Sequence, residues 1–178
     1  MSKKKKGRLF YKYLDELDID ESGLCCVFNS PLKDKGKREK KWKKERKKYG
    51  FDSRETWALD FTTATWLYSH LRRFKDVSIC VLYGDTAHHY LVSVPKEKDG
   101  KFLYEIKEEK SSIKRAVFEY EEVNLSYGDI IDIILKYLEL YINFDDSFEV
   151  SAEEGVFING LAAEAFRLYG IILPSLWW

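Results

Sequence analysis

Between Lys33 and Lys48 the chain reads KDKGKREKKWKKERKK, eleven Lys or Arg in sixteen residues. Nothing else in the sequence constrains the fold as much. Ammonium and guanidinium groups leave water only when they are paired, so this run cannot enter a hydrophobic core. Lys, Arg and Glu are good helix formers, and between Gly36 and Gly50 nothing opposes a helix. On a helical wheel the bases surround the axis and only Trp42 is apolar, which leaves no face to dock on a core. The run therefore divides the chain into a basic N-terminal arm, residues 1–49, and a compact body, residues 50–178.

Charge follows the same division. Residues 1–48 hold 17 bases and 8 acids (17 − 8 = +9), residues 49–178 hold 13 bases and 22 acids (13 − 22 = −9), and the whole chain sums to zero. Residues 117–178 alone carry 12 acids against two bases, Lys136 and Arg167. Such separation suits an arm that meets an anion. The alternative is an arm folded onto its own acidic face. The chain is 45% hydrophobic and 16% aromatic, enough to fill a core and to exclude wholesale disorder. No apolar run approaches the ~20 residues of a membrane span. The lysines of MSKKKKGRLF lack the apolar stretch that a secretory signal needs behind them. Cys25, Cys26 and Cys80 fit neither a disulfide framework nor a metal knuckle. These features lead us to expect an intracellular protein, cytoplasmic in a bacterial host, with no membrane attachment and no cofactor.

Periodicity sets the body's elements. Arg8–Leu17 reads as a short helix or turn and Gly23–Phe28 as a short buried strand. Asp52 with Glu55 makes a capping box, and Trp57, Phe61, Ala64, Tyr68 and Leu71 then recur at helical spacing, which predicts a helix from Ser53 to Phe74. The period next drops to two. Val77–Tyr83, His88–Val94, Phe102–Ile106 and Ile113–Val123 read as four short strands of an antiparallel meander. Gly128–Ile142 is apolar on nearly every side, with a narrow polar stripe of Asp129, Asp132, Lys136 and Glu139. A last helix starts at Ser151, with a second capping box to Glu154. It turns Phe157, Leu161, Ala165 and Leu168 inward and ends near Gly170. Trp177 and Trp178 are too apolar to leave in water and should pack back. The expected fold class is α+β: a small meander of about four strands packed against three helices, with a basic arm.

The stretch from Gly50 to Phe74, GFDSRETWALDFTTATWLYSHLRRF, resembles small uncharacterised proteins of bacteriophages, prophages and gut metagenomes that carry a T-W-x-L-D-x-T-x-A-x-W-L helix. The matching positions include Thr56, Trp57, Leu59, Asp60, Thr62, Ala64, Trp66 and Leu67. The closing segment Gly160–Trp177, with its LW dipeptide, is similar too. The resemblance implies a phage or mobile-element origin and no defined activity. Small phage proteins of this size include inhibitors of host defence such as anti-CRISPR proteins.

The candidate contact residues are Lys33, Lys35, Lys37, Arg38, Lys40, Lys41, Trp42, Lys43, Lys44, Arg46, Lys47 and Lys48. Lysines near phosphates release counterions and bind without regard to sequence, and Trp42 offers a face for stacking on bases. A second candidate surface is acidic: Glu121, Glu122, Asp129, Asp132, Asp145 and Asp146 could imitate a phosphate backbone. Asp129 and Asp132 share a helix face that could hold Mg²⁺, but Lys136 follows Asp132 at i+4, which favours a surface ion pair. His88 and His89 are adjacent in a strand and point to opposite faces. No spacing rule supports a Cys80/His89/Asp85 nucleophile set. Asp60, amid apolar neighbours, reads as a structural carboxylate. No catalytic residue and no metal site is assigned. The expected function is non-enzymatic binding of nucleic acid or a ribonucleoprotein, most concretely inhibition of a host nuclease complex. The alternatives are a small metal-dependent nuclease and a structural phage component whose arm touches nucleic acid.

Overall fold

The computed structural model describes residues 37–49, 59–108, 113–144 and 151–176. The expected N-terminal tail, the Arg8–Leu17 turn, the Gly23–Phe28 strand, the Asp52/Glu55 box, Trp57 and the terminal tryptophans lie outside them. The chain divides into two compact units, residues 1–70 and 71–178.

The first unit contains helix α1, Lys37–Tyr49, and most of helix α2, Leu59–Val77. Much of the buried surface of α2 is polar: Thr62, Thr65 and Ser69 are covered along with Ala64, Leu67 and Tyr68. The helix satisfies such hydroxyls internally. Thr65 donates to the Phe61 carbonyl at 2.7 Å and Ser69 to that of Thr65 at 2.8 Å, so burying them leaves no donor stranded. Asp60, expected to be a buried pin, is instead exposed in the first turn described.

The second unit is mixed helix and strand with small antiparallel ladders. Six short strands follow one another: β1 His89–Pro95, β2 Glu97–Lys98, β3 Lys101–Phe102, β4 Tyr104–Glu108, β5 Lys114–Phe118 and β6 Tyr120–Ser126. They pair as β1–β6, β2–β3 and β4–β5. The single residues Lys96, Leu103 and Glu119 separate β1 from β2, β3 from β4 and β5 from β6. Lys96 N–H donates to the Glu119 carbonyl (2.8 Å), Glu119 N–H to that of Leu103 (2.9 Å), and Leu103 N–H to that of Lys96 (2.9 Å). Three continuous strands thus meet at a closed triangle of backbone bonds, and each pair of strands runs outward as its own ladder. The β2–β3 arm closes through Asp99 and Gly100, both with positive φ (52° and 74°), the conformation that a two-residue hairpin requires.

This arrangement replaces the expected four-strand meander. Val77–Tyr83 is not a strand. Helix α2 runs on to Val77, and the alternating Ile79 and Val81 that suggested a strand are exposed, Ile79 at 88%. Alternation makes a strand only when a neighbouring edge accepts it. Residues 78–88 instead form a strap that docks on the next helix, with Gly128 N–H donating to the Leu82 carbonyl at 2.7 Å and Tyr127 N–H to that of His88 at 2.9 Å.

Helix α3, Tyr127–Ile142, starts at Ser126, which with Asp129 forms a reciprocal capping box. Ile130, Ile131, Ile134 and Leu138 are wholly buried, a gross gain of roughly 6–12 kcal/mol at 1.5–3 kcal/mol per side chain. The polar stripe Asp129, Asp132, Lys136 and Glu139 is exposed, as its spacing predicts. Helix α4, Ala152–Ile172, is N-capped by Ser151, whose side chain accepts from Glu154 N–H. It packs on α3 and across β5, burying Leu161, Ala165, Leu168 and Ile172 completely. It runs two residues past Gly170 before the 3₁₀ turn Leu173–Ser175. Phe157, on its outer turns, joins Phe102, Tyr104 and Phe118 in an aromatic cluster, stacked on Tyr104 at 4.6 Å. Counting uninterrupted apolar runs overlooked one feature: by length and composition alone, Ala152–Ser175 could cross a membrane, although 39% of that window is buried within the protein.

Candidate functional site

Helix α1 carries the densest charge in the described structure. Its thirteen residues KREKKWKKERKKY contain nine bases and two acids. At 100° per residue, Lys43, Lys47, Lys40, Lys44, Lys48 and Lys41 fall in that order on an arc of about 160°. Glu45, Tyr49 and Trp42 share the opposite side. Burial follows the same division: all six lysines are exposed, while Trp42 and Glu45 are half-buried, the Glu45 side chain at 19% exposure. The bases therefore do not surround a helix without a docking side, as the sequence suggested. They are sorted, and the helix has a covered back.

Local contacts fix the edges of that face. Lys41 pairs with Glu45 one turn on, at 3.5 Å. The Lys48 ammonium lies 4.8 Å from the Tyr49 ring centroid, so one face of that ring is occupied. Lys40, Lys41, Lys44 and Lys48, with Glu45 and Tyr49, line a shallow depression of about 430 Å³. Four ammonium groups and one carboxylate around such a space leave an excess of three positive charges, which suits a phosphate and repels a cation. Lys37, Arg38 and Arg46 lie on the same helix. Lys33 and Lys35 lie outside the described residues.

The acidic candidates are dispersed. Glu121 and Glu122 are exposed neighbours on β6, opposite Val94 and Ser93 in the ladder, so they point to opposite faces. Asp129 serves the α3 cap, accepting from Ser126 N–H at 3.1 Å and from the Ser126 hydroxyl. Asp132 is held by the Lys75 ammonium and by the Tyr83 hydroxyl at 2.8 Å. The expected Asp132–Lys136 pair is replaced: Lys136 reaches Glu97 at 2.6 Å instead, because the strap brings Lys75 and Tyr83 to Asp132 and the β2–β3 arm brings Glu97 to Lys136. At Lys75, desolvation lowers the pKa, but the Asp132 carboxylate and the Tyr83 hydroxyl outweigh it and the net shift is upward. Asp145 and Asp146 lie outside the described residues. Among the described residues no group of three or more His, Cys, Asp or Glu is placed to hold a metal ion.

The remaining candidates stay apart. Cys80 is exposed, and His89 Nε2 donates to the Gly84 carbonyl at 3.1 Å rather than meeting Cys80 or Asp85. His70 stacks on Trp66 with centroids 4.1 Å apart and donates from Nδ1 to its carbonyl at 2.7 Å. Sequence reasoning missed a network around Glu164. This covered carboxylate accepts from the Tyr120 hydroxyl and from Arg167 Nε, each at 2.8 Å, and Arg167 also caps the Ser93 carbonyl. The i,i+3 spacing of Glu164 and Arg167 was its one visible signal. Comparison with protein-family models, curated proteins and solved structures returns no match to this chain.

Proposed function

We propose that the protein is a non-enzymatic polyanion-binding protein that engages nucleic acid, free or within a ribonucleoprotein, through the lysine face of helix α1. The observation that carries this reading is the sorting of charge on that helix. Six lysines are exposed together, while the neighbouring carboxylate that could neutralise them is turned to the covered side. Holding six like charges on one arc is unfavourable unless an anion relieves the repulsion. Asp129 and Asp132, the helix-face carboxylates of the nuclease alternative, are engaged in a cap and an ion pair, which favours binding over metal-assisted cleavage. The resemblance to phage and prophage proteins makes a host-defence nucleoprotein, such as a CRISPR nuclease, the concrete candidate partner, bound in a bacterial cytoplasm.

The test is salt dependence. With six phosphates neutralised, log affinity falls against log salt with a slope of about −5 on a duplex and about −4 on a single strand. Replacing Lys40, Lys41, Lys43 and Lys44 with Gln leaves two of the six, so the slope should drop to roughly a third. Affinity that does not respond to salt, or a variant that binds as the parent does, would refute the reading.

A further inference from the structure

Resting on the reading of α1 as a polyanion site, we infer that its ligand is B-form duplex DNA and that the helix enters the major groove lysine side first, without stacking on bases. Three observations lead there. The first is angular. Lys41 and Lys43 bound the lysine arc and stand about 160° apart around the axis, so they reach in nearly opposite directions. One row of phosphates cannot meet both, whereas the two rows that flank a groove can. A helix with its side chains is about 10–12 Å across, and the major groove of B-DNA is about 12 Å wide.

The second is linear. From Lys40 to Lys48 the helix rises about 12 Å. Over that length a duplex presents about seven phosphates and a single strand about half as many. Six lysines match the duplex count. The third is the position of the aromatic rings. Trp42 is half-buried on the side away from the lysines, and one face of Tyr49 lies under the Lys48 ammonium. A strand held by the lysines cannot lay its bases on Trp42. The centre of the arc, Lys40, Lys44 and Lys47, would face the groove floor. A lysine meets base edges there as a point charge, without the paired donors and acceptors that single out one base pair. Binding is therefore to duplex geometry and not to sequence. The major groove of A-form RNA is too deep and narrow to admit the helix.

The experiment uses the full chain and three probes of identical sequence: a DNA duplex of about two turns, the RNA duplex, and the DNA single strand. Each is titrated by fluorescence anisotropy at several salt concentrations. The DNA duplex should bind about tenfold or more tighter than either alternative. Scrambling its sequence should change affinity by less than about twofold, and so should Trp42→Leu. A tighter single-strand complex that Trp42→Leu weakens would place bases on the ring and overturn this inference while leaving the polyanion reading intact. Equal affinity for the two duplexes would overturn groove entry. The absence of salt-dependent binding to any probe would remove the polyanion reading as well. If Trp42→Leu does not fold, the ranking of the three probes by the parent protein still decides.

Discussion

At Gly128 one hydrogen atom in place of a side chain determines how the strap sits. A Cβ there would lie 2.5 Å from the Tyr83 ring and 2.7 Å from the Leu82 carbonyl oxygen, the same oxygen that receives the Gly128 N–H. Alanine in an ordinary helix stabilises by about 1 kcal/mol over glycine. Here Gly128→Ala should instead destabilise by about 1–3 kcal/mol through overpacking, read as a lower urea midpoint. An unchanged or higher midpoint would mean that the strap yields freely. The tyrosines give a second residue-scale forecast. Burial, then the Glu164 carboxylate, pushes the Tyr120 hydroxyl up to about 12, and burial drives Tyr127 and Tyr137 in the same direction. Each is neutral when protonated, so a raised folded-state pKa stabilises fully below the unfolded value near 10 and is lost as pH climbs through the folded one. The melting temperature should therefore show no tyrosine-linked fall up to about pH 9 and should decline above pH 10, less steeply in Tyr120→Phe.

Among the elements, α1 is expected to contribute little to the stability of the fold. Its lysines are exposed, and the described ion pair, Lys41–Glu45, is of a kind worth a few tenths of a kcal/mol. The four-Gln variant should melt within about 2 °C of the parent while losing its polyanion affinity. A large fall in melting temperature would point to an arm that neutralises its own protein. The elements also show how much the sequence could reveal. Helices α3 and α4 were legible because Ile130, Ile134 and Leu138, or Leu161, Ala165 and Leu168, repeat at the helical period, and a helix makes its hydrogen bonds within itself. Strands depend on partners distant in sequence. The alternation at Ile79 and Val81 was real, but no edge accepts it, and nothing local distinguishes it from Val92 and Val94, which have one. Lys136 illustrates the same limit, since its i−4 carboxylate was visible and Glu97, brought near by the fold, was not. In α1 the composition was plain, while the sorting of its lysines became functional information only once Trp42 and Glu45 were seen to be covered.

At the scale of the whole molecule, opposite charges occupy different parts of the chain, +9 in residues 1–48 and −9 in residues 49–178. The acidic second unit is held together by apolar helices and by one backbone triangle. That triangle has a consequence for solvent exchange. Lys96, Leu103 and Glu119 bond only toward the centre, and the registers of the three ladders continue from them. Antiparallel pairing alternates bonded and non-bonded residues, so each of the three strands directs every second amide into a ladder and the others outward. Deuterium should therefore replace hydrogen in a period of two along all three strands at once. Val92, Val94, Glu105, Val117, Glu121 and Val123 should be slow, and Leu91, Ile106, Glu122 and Asn124 fast. The three corner amides should open together, because releasing any one of them frees the other two. Uniform protection along a strand would mean that its outer edge is also covered, and would turn a three-armed junction into part of a wider sheet.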